Sequence, residues 1–124
     1  MTDYRRAEDT ITYLLEKARR PLTRTALVKL LYFADLRSYE RRGKAITGLR
    51  WIWHNFGPFS SEVYDVLGSL EFADEATTEV RRNNYGSLEY RIHLGPAAGY
   101  NQVLEESEQD IIDEVVGEFS KINA

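Results

Sequence analysis

Apolar residues in the first third of the chain recur at the three-and-four spacing of a helix with one buried face. Tyr4, Ala7, Ile11, Leu14, Leu15 and Ala18 predict a first helix from about Asp3 to about Arg19, with polar residues opposite. Arg19 and Arg20 suit the negative end of its dipole, and Pro21 ends it. Thr23 is placed to cap a second helix, whose Ala26, Leu27, Leu30, Leu31, Ala34 and Leu36 make a broad apolar face until Gly43 stops it. This helix is expected to be the central one.

After Ile46-Thr47-Gly48, a turn, the periodicity changes. Leu49 to Phe56 is rich in aromatic and branched residues and reads as a strand, broken by Gly57-Pro58. Ser60 or Ser61 then caps a third helix running through Leu70. Thr77 to Arg82 and Leu88 to Leu94 flank Asn83-Asn84-Tyr85-Gly86, whose Asn and Gly residues accept the positive φ of a hairpin loop. Gly95 to Gly99 reads as a loop. Ser107, with Asp110 three residues on, opens a final helix carrying Ile111, Ile112, Val115, Val116, Phe119 and Ile122. Two helices, a strand, a helix, a hairpin and a helix make an α+β fold, predominantly helical with a small antiparallel sheet, as one domain over 1–124.

Composition narrows the function more than the fold. A chain of 124 residues buries roughly two thirds of its unfolded surface, enough to fold without staples. With no cysteine there is no disulfide, thiolate metal site or cysteine nucleophile, and the cytoplasm is the expected compartment. The N-terminus lacks the apolar run of a signal peptide, and the most apolar segment, ALVKLLYFA, is interrupted by Lys29 and too short to cross a bilayer. The net charge of -4 conceals an asymmetry: residues 1–60 carry 12 Lys or Arg against 6 Asp or Glu, and residues 61–124 carry 4 against 14. Either the two halves occupy separate faces of a dipolar molecule, or the charges mix on one folded surface.

Candidate chemistry is sparse. His54 and His93 fall on different strands without the neighbours of a metal motif, and no glycine pattern matches a phosphate cradle. Neither a metal nor a cofactor is expected. Glu62 and Asp65 share a helix face beside Tyr64, the spacing of an acid-base pair, but exposed carboxylates on a helix are commonly a solvated face. No catalytic set emerges, and an enzyme is the least supported class.

The aromatic run is where the sequence concentrates its apolar surface. Strand alternation puts Leu49, Trp51, Trp53 and Asn55 on one face and Arg50, Ile52, His54 and Phe56 on the other. An aromatic side chain buries roughly 150–250 Å², worth up to about 4–6 kcal/mol at about 25 cal/mol per Å². Both tryptophans packed in the core is one reading. The other is a face left partly open for a partner, since Trp and Tyr are enriched at binding hot spots. The candidate surface is Trp51, Trp53, His54, Phe56 and Tyr64 with the basic cluster Arg41, Arg42, Lys44 and Arg50.

The ordered elements Lys29-Leu30-Leu31-Tyr32-Phe33-Ala34-Asp35, Ile46-Thr47-Gly48, and Gly57-Pro58 followed by Val63-Tyr64 resemble the signature of the Panacea antitoxin domain, the family of the SocA proteolytic adaptor and the phage-associated GepA proteins. The resemblance implies a small bacterial or phage protein that binds and neutralises a toxin encoded beside it, with Lys29 to Asp35, Thr47-Gly48 and Gly57-Pro58 expected to act as scaffold. It also implies an alternative, a proteolytic adaptor that delivers its partner to a ClpXP-type protease. Many relatives continue past the final helix into a segment with a Trp near its end, a pattern not found here up to Ala124. A nucleic-acid-binding regulator is the remaining alternative, suggested by the basic first half and opposed by the acidic isoelectric point and the lack of a helix-turn-helix pattern.

Overall fold

The computed structural model describes residues 3–55, 57–99 and 103–122. Helix α1 (Arg5–Ala18) closes at Arg19, which takes the left-handed conformation and donates its N–H to the Glu16 carbonyl. A two-residue strand β1 (Leu22–Thr23) leads into α2 (Arg24–Arg42). There the Thr23 hydroxyl accepts the Ala26 N–H at 3.1 Å, satisfying one of the orphan donors of the first turn. Gly43 ends the helix at φ 74°, a conformation that favours glycine, and donates its N–H to the Tyr39 carbonyl.

Helix α3 spans Glu62–Phe72, strands β4 (Ala76–Arg82) and β5 (Leu88–Leu94) form the second-half hairpin, and α4 covers Glu106–Ile122. The β4–β5 register runs from Ala76 opposite Leu94 to Arg82 opposite Leu88. Its loop is closed by the Asn83 side chain, which accepts the N–H groups of Tyr85 and Ser87. Strand β1 adds to the other side of β5, giving a three-stranded antiparallel sheet ordered β1-β5-β4. Four helices with small antiparallel sheets make this an α+β fold. Among the described residues no helix is long and apolar enough to cross a membrane.

One core joins all four helices and the larger sheet. It contains Ala7, Ile11 and Leu14 of α1, Leu27, Leu30, Leu31 and Ala34 of α2, Val63, Val66 and Leu70 of α3, Ile92 of β5, and Ile111, Ile112 and Val115 of α4. Leu36, expected on the buried face of α2, lies outside; with Phe33 and Tyr39 it forms a second apolar stripe on the side of the helix away from the core.

Three local expectations are corrected. The strand expected over Leu49 to Phe56 is only β2 (Ile52–His54), and Gly57-Pro58, expected to break it, belongs to its antiparallel partner β3 (Gly57–Phe59). The reason lies in the backbone: the Leu49 N–H goes to the Thr47 hydroxyl and the Arg50 N–H to Glu62, so those residues are held by side chains rather than by a ladder. Pro58, with no N–H to give, is tolerated because this is a two-stranded ribbon with open edges. Helix α4 begins one residue before Ser107. The Glu108 carboxylate reaches back to the Glu105 N–H at 2.8 Å, so the capping pair is Glu105 with Glu108 and not Ser107 with Asp110. At α3 neither serine caps through its side chain; the Ser60 and Ser61 carbonyls accept from Val63 and Tyr64 instead. The side chains of Phe56 and Ile122 lie outside the described residues.

Candidate functional site

Asp35 organises the region between α2 and α3. Its carboxylate is buried, 3 % exposed, and takes four hydrogen bonds from residues that follow α2. Oδ1 accepts the N–H groups of Ile46 and Thr47, both at 2.9 Å, while Oδ2 accepts the Thr47 hydroxyl at 2.5 Å and the Trp51 indole Nε1 at 2.8 Å. A carboxylate so satisfied recovers through charge-assisted bonds what it loses in hydration. The Ile46-Thr47-Gly48 turn is thereby fastened to the central helix. Arg6 of α1 secures the same turn from the other side, donating Nε to the Ile46 carbonyl at 2.9 Å. Glu62 completes the frame, accepting the Arg50 N–H at 2.7 Å and the Tyr4 hydroxyl at 3.1 Å. That engagement gives Glu62 a structural task, and Asp65 beside it stays exposed.

The two tryptophans expected on one face are separated by this frame. Trp51, tied to Asp35, is half-buried and meets Tyr32 edge to face at 5.5 Å between centroids. Trp53, two residues on and out on the β2–β3 ribbon, is 77 % exposed. Ile52 and His54 beside it are exposed too, and Tyr64 is 45 % exposed at the start of α3. The His54, Phe59 and Tyr64 rings form a chain, with centroids 5.7 Å and 6.0 Å apart. Tyr32 also touches Phe33 at 5.8 Å, so it connects the hairpin's base to the outward stripe of α2. Phe56 belongs to the candidate set but lies outside the described residues.

The basic cluster is divided as well. Arg42, only 14 % exposed along its side chain, turns inward to Glu108, Glu105 and the Ser38 hydroxyl. Arg41 pairs with Glu114, and Arg37, not singled out by sequence, forms a two-pronged bond with Glu118 at 2.9 and 2.7 Å. Lys44 and Arg50 remain exposed. Of the two ways the charge asymmetry could resolve, mixing is the one found here: the basic C-terminal half of α2 lies against the acidic face of α4.

Glu108 is the centre of that mixing. Its side chain is fully buried and ion-paired to both Arg6 and Arg42. Burial alone pushes its pKa up, but the Glu105 N–H and the two guanidinium groups outweigh it and hold the carboxyl below its ordinary value. Sequence reading missed Asp35 as an anchor and Glu108 altogether. For Asp35 a signal existed, an acid set inside the apolar run KLLYFADL where a helix face should be buried. For Glu108 none did, since it stands among other acids in EESEQD.

A cleft of about 300 Å³ opens between the N-terminal half of α2, the β2–β3 ribbon and Tyr64. Val28, Phe59 and Tyr64 supply apolar lining, and Arg24, Lys29 and His54 line it as well. The His93 ring is elsewhere, on β5, 3.1 Å from Glu79. Among the described residues no three His, Cys, Asp or Glu side chains gather as a metal ion would require. The arrangement provides an exposed aromatic ribbon on a stiffly anchored base, with basic groups at its edge.

Comparison with known families bears on what that ribbon is for. No curated protein and no solved structure matches the chain significantly. The family described as antitoxin SocA-like, Panacea domain, matches residues 27–124, which include α2 from Leu27 onward, the ribbon, α3, the hairpin and α4, and all of Asp35, Ile46, Thr47 and Trp51. Since the match spans most of the sequence and takes in Asp35 with all four of its hydrogen-bond donors, the chain belongs to the SocA-like antitoxins that carry the Panacea domain.

Proposed function

We propose that this protein neutralises a cognate toxin by direct contact, and that the β2–β3 ribbon with the outward face of α2 is the contact surface. The observation that carries the reading is Trp53, left 77 % exposed two residues from a tryptophan that the fold takes care to anchor. A large ring held out from a rigid base loses little conformational freedom when a partner covers it, which is how hot-spot residues contribute most. Family membership supplies the class of partner, a toxin, and the neighbouring gene is the place to seek it. Trp53, Ile52, His54 and Tyr64 form the surface on the ribbon side, and Phe33, Leu36 and Tyr39 extend it along α2. Lys44 and Arg50 are exposed and form no ion pair among the described residues, whereas Arg41 and Arg42 serve the α2–α4 contact. Helix α1, which precedes the matched region, shares its core and belongs to the same working unit of 1–124.

Co-expression with the adjacent open reading frame tests this directly. Growth rescue together with a co-purified complex is the expected result, and absence of both overturns the proposal. A chase of the partner's lifetime separates two modes of neutralisation: stoichiometric inhibition preserves the partner, and delivery to a ClpXP-type protease shortens its life.

A further inference from the structure

The cations of the first half of the chain fall into two groups that the fold treats differently. Arg37, Arg41 and Arg42, on the C-terminal half of α2, are neutralised by glutamates of α4. Arg20, Arg24 and Lys29, around its N-terminal half, form no ion pair among the described residues. Arg24 is instead held between two rings, its guanidinium 4.9 Å from the Tyr64 centroid and 4.1 Å from that of Tyr90. Arg20 lies 5.6 Å over Phe119. The first turn of α2 carries no acid, so the positive end of its dipole adds to the same field.

These unpaired cations border the 300 Å³ cleft and a second hollow beside it of about 540 Å³, which shares Thr25 and Lys29 with the first and adds Arg20 and Arg91. The first cleft is therefore lined by both apolar and cationic side chains, with Arg24 already oriented by its ring contacts. A guanidinium held this way loses less entropy on meeting a carboxylate than a free one.

We propose that this cleft receives an acidic segment of the protein partner, an apolar or aromatic side chain seated on Val28, Phe59 and Tyr64 while flanking carboxylates meet Arg24 and Lys29. The inference rests on the reading of the chain as a toxin-binding module and assigns the chemistry of what it grips. Charge complementarity selects the occupant. A nucleic acid would need a longer cationic track, and the net charge of -4 with its 14 acids beyond residue 60 repels a polyanion.

The test uses the full chain, immobilised, and a phage-displayed library of random dodecapeptides. Selected peptides are expected to be rich in Asp and Glu around a Leu or an aromatic residue. A labelled peptide from that pool should lose affinity by about tenfold or more for Lys29→Glu, and should weaken as salt rises from about 50 to about 300 mM. Lys29 is exposed and holds no ion pair among the described residues, so its variant should melt like the parent; Lys17→Glu on α1 controls for overall charge and should leave binding unchanged. Peptides without acidic enrichment, or binding indifferent to Lys29→Glu, overturn the proposal. So does displacement of the peptide by a single-stranded thymidine dodecamer at lower concentration, which would mark the cleft as a nucleic-acid site. If the parent chain rescues growth beside its neighbour gene but selects no acidic peptides, only this inference fails. If acidic peptides bind and no rescue occurs, it is the toxin-binding reading that fails.

Discussion

Asp35 and the pair Trp51 and Trp53 show how much depends on individual side chains here. Removing the Asp35 carboxylate strands the Ile46 and Thr47 N–H groups, the Thr47 hydroxyl and the Trp51 indole at once, all of which it satisfies now. Each buried donor left without an acceptor costs about 1–3 kcal/mol, so Asp35→Ala should lower unfolding free energy by roughly 3 kcal/mol or more, a large part of a typical total of about 5–15 kcal/mol. Chemical denaturation measures it, and a loss below about 1 kcal/mol would contradict the anchoring role. The tryptophans should separate cleanly in the same assay. Trp51→Ala, which removes a half-buried ring and a bond to Asp35, is expected to cost roughly 2–4 kcal/mol of stability. Trp53→Ala should change stability by no more than about 0.5 kcal/mol while weakening the purified toxin complex by about 2 kcal/mol or more. Calorimetric titration of the partner against each variant reads the second quantity, and unchanged affinity for Trp53→Ala would remove Trp53 from the contact surface.

Among the elements, the joint between α3 and the β4–β5 hairpin is the least forgiving. Asp74 adopts φ 58°, and its carbonyl accepts the Ala97 N–H while Gly95 donates to Glu75, so two turns close against each other. A Cβ placed on Gly95 would lie 2.3 Å from the Asp74 carbonyl oxygen, a backbone atom that cannot swing away. Gly95→Ala should therefore destabilise by about 1–3 kcal/mol through displaced backbone, visible as a lower melting temperature, whereas Gly117→Ala, with open space around it, should not. The ends of α1 and α2 and the whole β4–β5 hairpin were legible from Pro21, Thr23, Gly43 and the Asn83–Gly86 loop, because those signals act within a few residues of the backbone they shape. The strand expected over 49–56 was not, because its first residues spend their N–H groups on Thr47 and Glu62, and nothing in an alternating pattern reveals a competing side-chain acceptor. The same competition explains why Trp51 and Trp53, formally on one face, end in different environments.

At the scale of the molecule, Glu108 is the residue that ties elements together, since α1 and α2 each send an arginine to the start of α4. Its folded pKa lies below the ordinary value of 4.5, so the unfolded chain takes up that proton first as acid is added. The stabilisation is present in full above about pH 4.5 and is lost as pH falls through the folded value. Glu108→Gln should be less stable than the parent at neutral pH, and the gap should narrow in acid; denaturant melts from about pH 7 to about pH 3 measure it. Asp3, Glu79 and Glu118, which are also held low by their partners, are common to both proteins and cancel in the difference. A gap that stays constant through acid would show that Glu108 acts by shape and not by charge. The sequence by itself determined the helices, the second hairpin, the α+β class and the family signature, because helix periodicity, caps and turn residues are local physics. Only the tertiary structure decided which tryptophan faces water, which arginines are neutralised by α4, and that the cations around the N-terminal half of α2 form no ion pair among the described residues. Those outcomes depend on what lies opposite each side chain, and the opposing residues come from helices and loops far along the chain.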